Sequence, residues 1–598
     1  MRLPALGDVV STAQRNLTRF PLVILAGAIV AYAGLAMVET TVGDPDLLRL
    51  MAAASLGLPL FFGLTVFAER RAPTRIAYWA VQAAGLAIVV AFWRAWPAWT
   101  EDMRGARFLQ LLVAFHLFVA FAPFAGRDEP RAFWQFNRIL FVRFLLTAFY
   151  TVVLWVGLSG ALLAVDKLLG VSVASEAYAR LWVVLAFVFN PWFFVSGVPA
   201  DIGALEAVDD YPRGLRVFTQ YVLVPIVTLY LAILTVYFAK VLVTREWPNG
   251  WIGNLVSSVA GAGILSWLLV HPLEGDDEHA WVKTFTRGFY LAMMPAIVML
   301  WLAIWKRVQQ YGITERRYFL VVLSVWFAGV AAYYTLTRSR NIKLVPVTLC
   351  AVALLSFAGP WGAYGVSLAS QRARLSAVLT ANGLLVDGVL RPSSRPVPAA
   401  DVREISEGFR YLLQAHGTSA VRPWVAGEVA RDAGAVGSGT HARADAGARA
   451  IVAAIGLQYT GGSVIDAANY FSYFTERRTD AVAIDGYAYA MLLSPGLARD
   501  TVAVADGIRL TAAASPPALV VLRGAVPVLT VPLQPAIDTA AAIRRTTPTG
   551  AIPRRVMTLQ ASAGDARALV VLTQVAGTRT RGVVTLTGLE GEIYLRVP

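Results

Sequence analysis

One stretch decides what kind of fold this chain can adopt. From Val217 to Val243 it reads VFTQYVLVPIVTLYLAILTVYFAKVLV, with Gln220, Pro225 and Lys240 set inside an otherwise apolar run. As a helix rising about 1.5 Å per residue, it exceeds the roughly 30 Å hydrocarbon thickness of a bilayer. A helix apolar on every face has no place on the surface of a soluble domain. The stretch predicts a membrane span with other helices packed around it.

Ten further apolar segments are long enough to cross: Phe20–Val38, Leu50–Phe67, Ile76–Trp93, Phe108–Phe124, Ile139–Val165, Leu181–Val198, Ile252–Val270, Phe289–Trp305, Tyr318–Leu336 and Leu344–Val366. Trp93, Trp96, Trp99, Trp247, Trp251 and Trp305 fall near segment ends, where amphipathic rings favour the interface. Only 15% of residues are charged and the mean hydropathy is +0.59, as in a polytopic membrane protein. The net charge of +14 comes from Lys and Arg scattered through short loops, which points to anionic headgroups and not to nucleic acid. Cys350 is the only cysteine, so there is no intrachain disulfide and no cysteine-based metal site. The first twenty residues precede about nineteen apolar ones with no small-x-small cleavage pattern, and read as a short segment before a retained first span.

Orientation follows from loop charge. With alternating crossings, 16 Lys and Arg fall on the side of the N-terminus and 11 on the other, which favours a cytoplasmic N-terminus. The basic loop Lys306 to Arg317 dissents. An odd number of spans puts everything after Val366 outside the cytoplasm. The expected divisions are a cytoplasmic segment (1–19), a bundle of about eleven spans (20–367), a helical connector (368–425) and a β-rich soluble module (426–598).

In the connector, Asp401 and Glu404 read as a capping box, with Val402, Ile405, Phe409, Leu412 and Leu413 on one helix face. Arg431 to Arg449 reads as a Gly- and Ala-rich loop. Strands are expected at Ala481–Leu493, Ile508–Ala513, Leu519–Leu522, Val526–Val531, Val556–Gln560, Leu569–Thr573, Val583–Leu586 and Ile593–Val597, forming an antiparallel sheet or sandwich. The fold class is a polytopic α-helical membrane protein with a soluble α+β domain, mainly antiparallel β.

Several polar signatures keep an order between the later spans: YPRGLRVFTQYVLVPIVTLYLAILTVYFAKVL, WPNGW, QYGITERRYF, RNIKLVPV and SFAGPWGAYGVS. In this order they resemble domain of unknown function 4153 (DUF4153), a family of bacterial inner-membrane proteins. QRARLSAVLTANGLLVDG resembles the start of its extramembrane part. The likeness covers the central and C-terminal two thirds of the chain, the first five spans matching in general character. It implies a location and an architecture, and carries over no catalytic residue.

The candidate positions are of two kinds. Lys240, Gln220 and His116 are polar groups inside spans, where an ionisable side chain costs a few kcal/mol unless paired or snorkelling. Lys240 reads as snorkelling about one turn to the interface, with a functional role as the alternative. His116 reads as bonded to a neighbouring helix, with a proton relay as the alternative, and Arg143 as interfacial. Asn190-Pro191, Pro225, Pro295 and Gly359-Pro360 interrupt helical hydrogen bonding, either as packing kinks or as the edges of a substrate cavity. The turn Tyr311 to Tyr318 offers Thr314 as a helix cap, with Arg316 and Arg317 as a candidate anion or lipid-headgroup site. The acidic run Glu274 to Glu278, beside His271 and His279, lacks the spacing of a calcium loop and reads as solvated.

No nucleophile elbow, P-loop, zincin or deaminase motif occurs, and His416 and His441 lack partners at ligand spacing. No catalytic residue, metal or cofactor is expected. The reading is a non-enzymatic envelope protein, held in the bilayer, whose external domain binds another envelope protein or polymer. The alternative is a transporter or lipid-handling protein with its cavity at the interrupted helices.

Overall fold

The computed structural model describes residues 14, 17–39, 44–244, 252–275, 280–337, 341–393, 395–425, 441–460, 470–475, 484–493, 501–505, 507–513, 515–546, 552–580 and 583–597. The chain divides into two units, Met1–Tyr459 and Thr460–Pro598.

Ten helices among the described residues are long and apolar enough to cross a membrane. In chain order they are α1 Pro21–Glu39, α2 Pro45–Arg71, α3 Arg75–Ala95, α4 Glu101–Phe121, α5 Pro130–Leu169, α6 Glu176–Val195, α7 Arg213–Thr244, α8 Ile252–Val270, α9 Ala280–Tyr311 and α10 Glu315–Leu336. Local chemistry marks their starts. Thr74 and Thr100 accept from the N–H three residues on, at 3.2 and 3.3 Å, and Pro45 and Pro130 sit in first turns, where a missing N–H costs nothing.

An eleventh apolar helix, α11 (Leu344–Leu355), has 12 residues, a rise of only about 18 Å. Its contacts nevertheless run the length of α4. The Lys343 ammonium donates to Arg127 O beyond one end of α4. Cys350 Sγ donates to Ala114 O at 3.3 Å and Gln110 Nε2 to Ala353 O at 2.7 Å. Phe357 then meets Trp99 at the other end, ring centroids 6.1 Å apart. The short helix and the turn after it thus pack along the whole of α4, roughly in keeping with the expected eleven or so spans. The interruption expected at Gly359-Pro360 within Leu344–Val366 is a tight turn, with Gly359 at φ +86°, that separates α11 from α12 (Ala363–Ala381).

The two ends of the bundle are chemically distinct. At the N-terminal end Arg19 pairs with Glu69 at 2.8 Å and Arg70 with Glu129 at 2.7 Å, and Arg19 also donates to Val198 O and Pro199 O. At the other, Arg49 lies 3.6 Å over Trp93, and Arg107 stacks near Trp99 and Phe357. Trp247, Trp251, Arg245, Arg338 and Arg340 lie outside the described residues.

Close approach holds the interior together. Phe136, Trp267, Met299 and Leu300 are fully buried, and a Cβ on Gly63 would stand 2.7 Å from the Phe118 ring. Small residues at such crossings let backbones come together where lipid offers no hydrophobic drive.

Beyond α12 a two-stranded hairpin, β1 Leu385–Val386 and β2 Val389–Leu390, turns on Asp387 and Gly388, both at positive φ. Then come α13 (Ala399–His416) and α14 (His441–Ala454). Leu375 and Leu379 of α12, Phe409 and Leu412 of α13, and Ile451 and Val452 of α14 form one small core. This helical cap continues to Tyr459, so the β-rich module begins at 460 and not at 426. Part of the expected Arg431–Arg449 loop is helix, because Ala444, Ala448, Ile451 and Val452 recur at helical spacing on the buried face; residues 426–440 lie outside the described ones. Asp401 does not cap α13 either. The helix begins earlier, at Ala399, leaving Asp401 to accept from Asn382 and Glu404 to pair with Arg374 at 2.7 Å.

The second unit holds two antiparallel sheets. One is ordered β3 (Tyr470–Phe474), β10 (Ala566–Thr580), β11 (Val583–Arg596), β4 (Tyr489–Leu493), with β9 (Thr558–Ala563) also on β10. The other is a meander of β5 (Val502–Ala505), β6 (Ile508–Ala513), β7 (Ala518–Arg523) and β8 (Val526–Pro532). Leu510, Val521 and Val531 of the meander share a core with Val570, Leu572 and Ile593, a sandwich arrangement. The two strands expected at Val583–Leu586 and Ile593–Val597 are one, β11, whose register shifts near Gly591 at φ +154°. A helix, α15 (Gln534–Thr546), follows β8.

Candidate functional site

The turn between α9 and α10 is where bundle and cap meet. Gly312 ends α9 in the left-handed region at φ +66°, its N–H donating to Val308 O. α12 then grips the turn: Ser370 Oγ accepts from the Ile313 N–H at 2.9 Å, and Gln371 Nε2 donates to Tyr311 O and Ile313 O. Arg317 reaches back to Gly312 O at 2.7 Å. Thr314 takes the extended N-cap conformation, but its hydroxyl makes no capping bond. The expected cap is thus a backbone cap only, because packing of α12 holds the turn instead.

Glu315, the first residue of α10, is the hub of this junction. Its carboxylate accepts from Ser367 Oγ of α12 at 2.6 Å and from the Tyr411 hydroxyl of α13 at 2.7 Å, and lies 3.2 Å from His416 Nε2. The His416 side chain is 2% exposed. Burial first, and then the Glu315 charge, pushes the Tyr411 phenol far up from its ordinary value, so it donates as a neutral group. Around the hub, Thr100 donates to Ala415 O, Gln414 to Asp102, and the Tyr364 hydroxyl to Asp102 O. Serine, histidine and carboxylate together suggest a hydrolytic relay, but such a relay needs nucleophile and acid on opposite ring nitrogens. Here Ser367 and Glu315 both meet Nε2 and bond each other directly. The arrangement joins three helices.

Two clefts flank the turn and share Thr314 and Arg317. The first, about 290 Å³, lies among α8, α9 and α10, with Asn254, Arg307, Thr314, Arg316 and Arg317 at its polar rim and Leu300, Ile304 and Leu320 below. The second, about 370 Å³, lies against α12 and α13, where Arg374, Arg403 and Arg410 alternate with Glu404 and Glu407. Thr314, Arg316 and Arg317, the candidate anion or headgroup loop, thus line one cleft together with Arg307 of the same basic stretch and with Asn254, 62 residues before Arg316.

The other expected positions do not converge. Lys240 is exposed, one turn from the end of α7, as snorkelling requires. His116 is exposed and donates from Nδ1 to Leu112 O of its own helix at 2.8 Å, which corrects the expected bond to a neighbouring helix. Arg143 donates to Phe193 O and Ser196 Oγ at the end of α6, both at 2.7 Å. Asn190 donates to Thr151 Oγ1 of α5. Pro191, lacking an N–H, frees Phe187 O four residues back, and Gly27 of α1 packs there, its notional Cβ only 2.5 Å from that oxygen. Gln220 lies in a π turn, Thr219–Leu223, just before Pro225; a matching π turn, Leu185–Phe189, precedes Pro191. Pro295 is half-buried inside α9, and Gly359 and Pro360 are exposed in their turn. None of these lines either cleft. A third void, about 10 Å³ and walled by Ile264, Met293, Ile297 and Phe327, is apolar.

Among the described residues no three His, Cys, Asp or Glu side chains converge to hold a metal ion. Residues 276–279 of the acidic run lie outside them.

Ten span-length apolar helices among the described residues, a shorter eleventh, a helical cap and a β-rich unit define a polytopic integral membrane protein. The chain belongs to the DUF4153 family, described as Domain of unknown function (DUF4153), whose model matches residues 22–390. The match takes in the first five spans and ends at the hairpin of the cap, so the resemblance extends further toward the N-terminus, and less far toward the C-terminus, than the polar signatures suggest. A curated relative, "Uncharacterized protein PM1469" of Pasteurella multocida (strain Pm70), is 27% identical over 146 residues, which span 24% of this chain and 24% of that protein. No solved structure matches.

Proposed function

We propose that this protein is a non-enzymatic envelope protein of a bacterial inner membrane, with its N-terminus in the cytoplasm and its C-terminal unit binding another envelope component. The observation that carries this reading is the Glu315 junction. It ties α10 to α12 and α13 through three side chains, so the cap is held by the bundle as an anchored platform. The excess of Arg and Lys at the N-terminal end supports a cytoplasmic face there. The break at Asn190-Pro191 is filled by Gly27 and Thr151, which gives a transport cavity there less support.

Impermeant thiol labelling tests the orientation. In a Cys350→Ala background, Ser419→Cys in the cap labels in intact cells and Thr18→Cys labels only after permeabilisation. The reverse pattern overturns the orientation, and equal labelling of both in intact cells overturns the odd number of passages. The binding role is tested with a photo-crosslinker at Leu492, 76% exposed on β4. An adduct with an envelope protein or polymer is expected in intact cells, and adducts with lipid alone overturn it.

A further inference from the structure

We propose that the cleft among α8, α9 and α10 binds a phosphate group, carried on an amphiphile or free. Three arginines, Arg307, Arg316 and Arg317, line one cleft of about 290 Å³. Among the described residues no carboxylate lines it. The nearest acid in sequence, Glu315, is turned to the opposite side, where Ser367, Tyr411 and His416 occupy it. Among the described residues none of the three arginines is ion-paired. Like charges gathered around a partly desolvated cleft repel one another unless an anion sits between them.

The donors are arranged for an oxyanion. Arg316 spends one N–H on Asn254 Oδ1 at 3.3 Å, and Arg317 spends Nη1 on the turn carbonyls, which fixes both guanidinium groups and leaves further N–H groups to each. Guanidinium forks match phosphate geometry and bind it in pairs of hydrogen bonds. The second cleft makes a useful contrast, since Glu404 and Glu407 offset its arginines and Arg374 is already paired with Glu404.

The walls speak for an amphiphile. Leu300, Ile304 and Leu320 line the apolar part of the cleft, and Trp305, 65% exposed, stands one residue along α9 from Ile304 in the interfacial belt. A cleft near the small end of the ligand range, on the order of 300–1,000 Å³, suits a headgroup and the first carbons of its chains. A lipid phosphodiester meets both the rim and the walls; inorganic phosphate meets the rim alone. The inference does not rest on the orientation proposed above, because either face of a bilayer offers phosphodiesters.

The full chain is purified in an uncharged detergent and titrated with phosphatidylglycerol, with diacylglycerol of the same chains, or with inorganic phosphate, binding being read by native mass spectrometry and thermal shift. Retained phosphatidylglycerol that diacylglycerol does not reproduce is expected, weakened tenfold or more in Arg307→Gln/Arg316→Gln. Binding of inorganic phosphate with the same arginine dependence, without lipid retention, supports the site and assigns it to the free anion. Equal retention of diacylglycerol, or unchanged affinity in the double variant, overturns the proposal. Arg316→Lys, which keeps the charge, guards against misfolding, and Arg403→Gln in the second cleft should leave binding unchanged.

Discussion

The Tyr411 hydroxyl, on the cap, donates to Glu315 Oε2, at the start of the tenth spanning helix, across 2.7 Å. The two residues are 96 positions apart, and their bond closes a junction that Ser367 and His416 complete. Tyr411→Phe keeps the ring and deletes the donor, leaving a part-buried carboxylate oxygen without it. An unsatisfied buried group costs about 1–3 kcal/mol, or about 5- to 150-fold in an opening equilibrium. Amide hydrogen exchange across Ala399–His416 should accelerate within that range while the spans keep their protection. Unchanged exchange would show that the cap is held by its apolar core alone.

Gly27 and Phe187 O make a second prediction. A methyl on Gly27 would stand 2.5 Å from a backbone carbonyl, which cannot step aside as a flexible side chain can. Gly27→Ala therefore forces α1 from α6, with an overpacking cost of about 1–3 kcal/mol. A lower melting temperature and lower abundance in the membrane are expected. A larger residue tolerated at 27 would mean that the Asn190-Pro191 break opens onto free space, and the transport reading would regain ground.

Length and apolarity made the passages legible, since nothing else keeps a helix such as Val217–Val243 out of water. Loop arginines occur at both ends: Arg19, Arg70 and Arg127 meet at one, and Arg49 and Arg107 stack on aromatic rings at the other. The Glu315 junction was hidden for a physical reason. Its members come from α10, α12 and α13, and no local period relates a glutamate to partners 52 and 96 residues on. Arg316 and Arg317 stood out as a basic pair, whereas their partner Arg307 belongs to the preceding helix. The π turns left only their prolines as a trace. In the second unit α15 escaped notice because Pro535 and its polar neighbours read as a loop, although Ala536, Ile537 and Ala540 line its buried face.

Glu129 sets a pH dependence at the N-terminal end of the bundle. The hydrogen bond from Arg70 holds its carboxyl below the ordinary 4.5, against an opposing effect of burial and with help from the charges of Arg70, Arg127 and Lys343. A depressed folded value means that the contribution is complete above the unfolded value and is lost as pH falls through the folded one. Thermal stability of the full chain should thus fall between pH 5 and more acid conditions. Glu129→Gln should flatten part of that fall while lowering stability at pH 7. Parallel pH profiles for the two proteins would refute this role for Glu129.

Lys240 offers the sharpest test of whether polar groups in the spans do work. It is exposed near the end of α7, and Thr244 Oγ1, one turn on, bonds the Lys240 carbonyl and not its ammonium. Its aliphatic stem can lie along the helix with the charge at the headgroups. Lys240→Met removes the charge and keeps the length, so membrane abundance, melting temperature and any cellular phenotype of the wild type should persist. Loss of the phenotype with abundance unchanged would place a working charge at that depth, and α7 would then have to be read as part of a conducting path.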